Sequence, residues 1–177
     1  MPEVIAYETT EVLPEKTAAE IERMLQEAGV VGVAKTFDQG KMTAIYFRVE
    51  TPAGVLPFQL PINVNAIYQL LLNKKKSLPR YRNGELPRDV QVSLHAQAER
   101  TAWRIIHWWV KSQLALIQTQ MVCIEEVFLP YMLVAKDTTF FNQLQAGGFK
   151  ALAALSEGTN RNRRTEETED AYQRDRA

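Results

Sequence analysis

QAERTAWRIIHWWVKSQLALIQTQMVCIEEVFL, residues 97–129, holds all three tryptophans, one of the two histidines and the only cysteine of a 177-residue chain. Neither glycine nor proline interrupts it before Pro130, so it predicts a helix of about 30 residues over 90–121. At about 100° per residue, Trp103, Ile106, Val110, Leu114, Ile117 and Met121 fall on one side. Ile105, Trp109 and Leu116 widen that apolar arc to roughly half the circumference, the pattern of a helix buried in its own domain. On the opposite side Arg100, Arg104, His107 and Lys111 step by four, three and four residues. They form a narrow basic stripe with Trp108 at its margin. The helix is therefore expected to pack through Trp103, Ile106, Trp109, Val110 and Ile117 and to turn its cations outward. Trp109, Gln113 and Leu116 also suit a two-fold helix pair, so a homo-oligomer is a second way to cover the apolar face.

Composition narrows the class. Apolar residues make up 46% and charged residues 24%, which predicts a mostly globular chain with one sizeable core or two small ones. Cations and anions balance at 21 each, which argues against a wholesale polyanion binder but leaves room for a local basic patch. A lone cysteine, Cys123, excludes an internal disulfide and fits a reducing compartment. The N-terminal residues have neither the basic nor the apolar region of a secretory signal, and no apolar run approaches the ~20 residues that span a bilayer. A cytoplasmic location is expected, with no membrane partner.

Around the long helix the chain reads as α+β. Residues 4–7 suggest a short strand, and Thr17 with Glu20 a capping box at the start of a helix that Gly29 stops. Three strand candidates follow, VVGVAKTF, KMTAIYFRVET and GVLPFQLP, separated by Asp38-Gln39-Gly40 and Pro52-Ala53-Gly54. Spacers this short predict an antiparallel meander, with Ile45, Phe47, Val49, Leu56, Phe58 and Leu60 facing the core. Pro57 lacks an N–H and marks the third strand as an edge. Asn63 or Asn65 can cap a second helix, which ends in Lys74-Lys75-Lys76.

The expected organisation is an α-β-β-β-α layer over 1–76, with helices 17–28 and 65–75 packed on a small sheet. A basic linker loop follows over 77–89, then a helical region over 90–155 that packs on the sheet or forms a dimer. Within that region Cys123 opens a short helix that Pro130 disturbs, and Asp137 caps another through Phe140, Phe141 and Leu144. Residues 156–177 are almost wholly polar and are expected to be a disordered charged tail.

Catalytic chemistry is hard to find in the pattern. His95 and His107, twelve apart, lie about 120° out of phase on a helix and cannot share a metal there. His95 and Glu99 can touch, but two ligands from one helix fall short of a zinc site. Cys123 sits in an apolar run with no cation beside it to lower its pKa. Glu125 and Glu126 are adjacent and point about 100° apart, and Glu99 and Gln113, on the apolar side, call for partner groups across an interface. Phosphate-loop, dinucleotide, CxxC and nucleophile-elbow motifs are absent. These observations predict a non-enzymatic binding protein without cofactor or metal.

Two basic features remain. One is Lys74, Lys75, Lys76, Arg80, Arg82 and Arg88 with Tyr81 among them; the other is the stripe Arg100, Arg104, His107 and Lys111 beside Trp108. Clustered cations beside an aromatic suit phosphate contacts and base stacking, although basic helix faces are often merely solvated and lysines at a helix end complement its dipole. The strings EKTAAEIERML, PAGVLPFQLP and AWRII–W–QLALI–MV–EVFLPY, from Val12 to about Leu144, resemble a family of small proteins encoded by phages and prophages. That resemblance implies a phage or mobile-element setting and assigns no catalytic residue. The order helix, three strands, helix is also similar to that of the double-stranded RNA-binding domain. That domain opens its second helix with a basic cluster, whereas here Asn63-Val64-Asn65-Ala66 opens it and the lysines end it.

The expectation is nucleic-acid binding, single-stranded or double-stranded, through Lys74, Lys75, Lys76, Arg80, Tyr81, Arg82, Arg100, Arg104, His107, Trp108 and Lys111. The alternative is docking on a host or phage protein through the edge strand near Pro57 or the flank of Trp108.

Overall fold

The computed structural model describes residues 5–52, 54–81 and 85–154. The expected disordered tail over 156–177 and Arg82 lie outside the described residues. Helix α1 (Pro14–Glu27) is followed by strands β1 (Gly32–Asp38), β2 (Lys41–Thr51) and β3 (Gly54–Gln59) and helix α2 (Val64–Lys76). After a 3-10 turn at Pro79–Tyr81 come the long helix α3 (Arg88–Gln118) and α4 (Ile124–Phe128). A 3-10 turn at Leu129–Tyr131, a ribbon of β4 (Leu133–Ala135) and β5 (Thr138–Thr139), and α5 (Phe140–Ala146) follow, and the described residues end in a helical stretch at 150–154. The architecture is α+β, with an antiparallel sheet ordered β1-β2-β3.

The hairpin turn works as its sequence suggests. Asp38 pairs with Lys41, and Gln39 and Gly40 both take positive φ, the requirement of a two-residue turn that matches strand twist. Thr43 is the extra residue of a β-bulge, because Thr36 pairs with Ala44 while Phe37 pairs with Met42. The inserted residue flips the side-chain alternation, so Met42 joins Ile45, Phe47 and Val49 on the core face. Phe58 and Leu60 continue that face from β3, and the Phe47 and Phe58 rings stack at 5.2 Å. Pro57 lies on β3 as expected, opposite Arg48, and β3 is a terminal strand of the sheet.

One hydrophobic core joins this face to α1 (Ala18, Ile21, Leu25), α3 (Trp103, Ile106, Val110, Leu114) and Phe128 of α4. Trp103 and Val110 are fully buried, and half-buried Trp109 lies edge-on to Phe128 at 5.5 Å and Tyr131 at 5.3 Å. The face through Trp103, Ile106, Trp109, Val110, Leu114 and Ile117 is thus covered within one chain, whereas Leu116 and Met121, also expected on the apolar arc, are exposed, and Met121 lies beyond the end of α3 at Gln118. The opposite side is covered too. Helix α2 packs mainly on α3 rather than on the sheet, and Leu71, Ala98 and Ile5 form a second small cluster there. A helix of 31 residues running between these layers buries Ala98, Thr101 and Ala102 as well as its tryptophan face.

Three local expectations are corrected. No strand forms at the described part of 4–7; residues 6–9 turn, with Tyr7 at φ 62°. Helix α1 begins earlier than Thr17, with Pro14 in its first turn, where a missing N–H leaves no bond unmade. Thr17 is therefore inside the helix and buried, and Glu20 is free to act elsewhere. Asp137 does not cap α5: it takes φ 55° in the turn between β4 and β5, and Thr139 caps the helix by accepting the Asn142 N–H at 3.3 Å. Two other readings hold in detail. Asn63, rather than Asn65, caps α2 through Ala66 N–H at 2.9 Å. Gly29 at φ 87° ends α1, with Val30 N–H bonded back to the Leu25 carbonyl.

Candidate nucleic-acid interface

The two basic features end in different environments. On α3 the stripe is not an open cationic face. Arg104 Nη1 donates to Glu20 Oε2 at 2.8 Å, and His107 Nε2 lies 3.0 Å from the same oxygen. Arg100 spends its donors on Gln97 Oε1 at 2.5 Å and the Thr10 carbonyl at 3.3 Å. The segment 5–10 runs along this side of α3: Gln97 Nε2 donates to the Glu8 carbonyl at 2.8 Å, and Tyr7 stacks on Trp108 with ring planes 8° apart. Only Lys111 and Trp108 stay exposed, with the Lys111 ammonium 4.8 Å and the Arg104 guanidinium 5.6 Å from the indole centroid.

His107 is a buried histidine between two charges of opposite sign. Burial and the neighbouring Arg104 charge depress its pKa below the usual histidine value, more than Glu20 raises it, and Lys111 adds to the depression. Nε2 of the ring faces the Glu20 carboxylate, and Nδ1 is buried with no hydrogen-bond partner among the described residues. Burial works against ionised Glu20, yet the hydrogen bond and charge of Arg104, with help from His107 and Lys16, hold its carboxyl below the ordinary range. The arrangement favours a carboxylate, a guanidinium and a neutral imidazole, so one negative charge offsets one positive charge. A cleft of about 490 Å³ between α1 and α3 is lined by this group together with Arg23, Met24, Trp108 and Lys111.

At the end of α2 the situation is reversed. Lys74 is held by Glu8 at 2.5 Å, but Lys75, Lys76 and Arg80 form no ion pair among the described residues. Lys76 and Arg80 are exposed, and Lys75 and Arg80 lie 5.8 Å and 5.5 Å from the centroid of the half-buried Tyr81 ring. Two cations over one aromatic ring make a compact surface that can touch phosphate and a base face together. Of the nominated residues, then, the structure clusters Lys75, Arg80 and Tyr81, leaves Lys76 exposed, pairs off Lys74 and Arg104, and turns Arg100 and His107 inward.

Residues weighed as chemical candidates also find positions. His95, Glu99, Asp38 and Lys41 line a hollow of about 560 Å³ near the start of α2, with Lys41 Nζ 3.2 Å from Glu99 and 3.5 Å from His95 Nδ1. Glu99 thus finds its partner on β2 rather than across an interface between helices or chains. Among the described residues no group of three or more His, Cys, Asp or Glu is placed to hold a metal ion. Cys123 is exposed; the backbone hydrogen bond from Glu126 pulls its pKa down, but desolvation and the Glu125 and Glu126 side chains outweigh it, leaving the thiol raised. No described helix is long and apolar enough to cross a membrane.

Glu8 and Glu20 were not legible as site residues. Each acts on a cation 66 or 84 positions away, a separation over which no sequence periodicity operates. The edge of β3 is also less open than its sequence implies, because Met132 bridges to Phe58. No protein family, curated protein or solved structure matches the chain.

Proposed function

We propose that the protein binds nucleic acid without base specificity, through the exposed cationic end of α2. In the phage or mobile-element setting that its resemblance implies, it acts as a small accessory protein, not an enzyme. The observation that carries this reading is Tyr81 flanked by Lys75 and Arg80, next to Lys76, with no carboxylate engaging any of the three cations among the described residues. Cations without internal partners are the ones able to release counterions from a phosphate backbone. An aromatic ring beside them favours unpaired bases, so single strands are the better ligand. Lys111 and Trp108 contribute secondarily, since Arg104 is neutralised by Glu20 and Trp108 already carries Tyr7 on its ring.

The test is fluorescence anisotropy with labelled single- and double-stranded oligonucleotides at two salt concentrations. Binding tighter for single strands and strongly weakened by salt is expected. Replacing Lys75, Lys76 and Arg80 together by Ala should flatten the logarithmic salt dependence by about 2, at about 0.7 for each single-strand phosphate left without its cation. Absence of binding at low salt would remove this reading and leave docking on another protein as the function to pursue.

A further inference from the structure

Resting on the nucleic-acid reading above, we propose that Tyr7 and Glu8 are a built-in competitor for a second, covered part of the binding surface. The Tyr7 ring takes the place of a base on Trp108, and the Glu8 carboxylate takes the place of a phosphate on Lys74. Tyr7 lies on Trp108 with ring centroids 6.1 Å and planes 8° apart, the parallel arrangement in which a base stacks on an aromatic side chain. Both Glu8 oxygens accept from the Lys74 ammonium, at 2.5 and 2.6 Å, as the oxygens of a phosphate do. Adjacent residues have Cα atoms about 3.8 Å apart. The indole and the ammonium therefore lie within reach of one dipeptide, and a single strand can meet both. Lys111, 4.8 Å from the Trp108 centroid, and Lys75, next to Lys74, add positive charge on either side.

The backbone here is fixed independently of these two side chains. Gln97 Nε2 donates to the Glu8 and Thr10 carbonyls at 2.8 and 3.0 Å, and Thr101 Oγ1 to the Tyr7 carbonyl at 3.3 Å. Arg100 Nε donates to the Thr10 carbonyl at 3.3 Å, and Ile5 is buried. These contacts hold Tyr7 at φ 62°, a left-handed conformation that a bulky side chain rarely adopts, so the ring is kept over the indole at a conformational cost. Both Tyr7 and Trp108 are exposed, and the Tyr7 ring can leave by side-chain rotation while its backbone stays in place. Only a ligand that brings a stacking face together with an anion replaces both contacts. That requirement favours a single strand over a free anion, and over a duplex whose bases already stack on one another.

Fluorescence anisotropy of the full chain with labelled single- and double-stranded oligonucleotides reads the result. Tyr7→Gly removes the ring and accepts the left-handed backbone without strain. It should tighten single-strand binding about 5-fold or more, the low end of what one stacked base contributes, and leave duplex binding nearly unchanged. Adding Trp108→Ala to Tyr7→Gly should cancel that gain, and Tyr7→Phe, which keeps a ring, should not produce it. If Tyr7→Gly fails to fold, Glu8→Gln carries the test: its logarithmic salt dependence should steepen by about 0.7 as Lys74 becomes free for one more phosphate. Single-strand binding that Tyr7→Gly leaves unchanged or weakens overturns the proposal, as does an equal gain for duplex or an unchanged salt slope in Glu8→Gln. No binding by any of these proteins overturns the nucleic-acid reading as well, whereas binding by the unaltered chain without the gain overturns the competitor alone.

Discussion

The end of α2 and the basic side of α3 carry nearly the same sequence signature, several cations beside one aromatic ring, and the fold treats them in opposite ways. On α3, Arg104 meets Glu20, His107 is buried against the same carboxylate, and Arg100 ties down the segment 5–10. At the end of α2, Lys75 and Arg80 flank Tyr81, exposed Lys76 follows Lys75, and none of the three cations forms an ion pair among the described residues. A cation's meaning therefore depends on which acids the topology delivers to it. Helix α1 brings Glu20 to α3 because both helices cover the same sheet face, while α2 packs on the other side of α3, where Glu8 alone among the described acids pairs with it. The first cluster supports the structure, and the second is available to a ligand.

This contrast can be broken most forcefully at Arg104. Arg104→Ala should cost about 2 kcal/mol of unfolding free energy, the range for a charged hydrogen bond discounted for the partial exposure of Glu20, and should leave oligonucleotide affinity nearly unchanged. Denaturant unfolding beside anisotropy would show this; a large drop in affinity with intact stability would reverse the assignment. Tyr81→Ala should do the opposite, weakening single-strand binding by about 1–2 kcal/mol through the missing stacking, with little change in the melting midpoint.

Acid should act on the α3 cluster selectively. His107 has a folded pKa below its unfolded value, so the unfolded chain binds the proton first and stability falls as pH drops below about 6.5. Glu20, also depressed, adds a further loss as pH falls below its ordinary value of 4.5. Melting curves of His107→Gln should therefore be flatter between neutral and mildly acidic pH than those of the unaltered chain; parallel curves would show that His107 does not carry the acid response. The smallest effect expected is at Glu8→Gln, which releases Lys74 to join its neighbours and should tighten binding a few-fold. Weaker binding by that variant would show that Glu8 organises the patch rather than restrains it.

Much of the fold was legible because it rests on local periodicity. Trp103, Ile106 and Val110 recur at helical spacing and are buried, and Asp38-Gln39-Gly40 makes the hairpin its composition predicts. Where two signals compete, the pattern misleads. Thr17 and Glu20 have the spacing of a capping box, but Pro14 starts α1 earlier and Glu20 goes to Arg104. The β4–β5 ribbon is invisible in the sequence because strands of three and two residues are too short to show alternation, and Asp137 serves the turn there instead of capping α5. The basic stripe was legible as a pattern but not as an environment. Its neutralising acid lies 84 residues away, and pairing over that distance is decided by packing.

The salt dependence of binding tests the central claim most directly, measured side by side for the unaltered chain, Arg104→Ala and the Lys75→Ala, Lys76→Ala, Arg80→Ala variant. The logarithmic slope should be kept by Arg104→Ala and reduced by about 2 in the triple variant. Equal reductions in both, or a slope that falls only with Arg104→Ala, would show that the cations of α3 face the ligand and that the two regions do not differ as described.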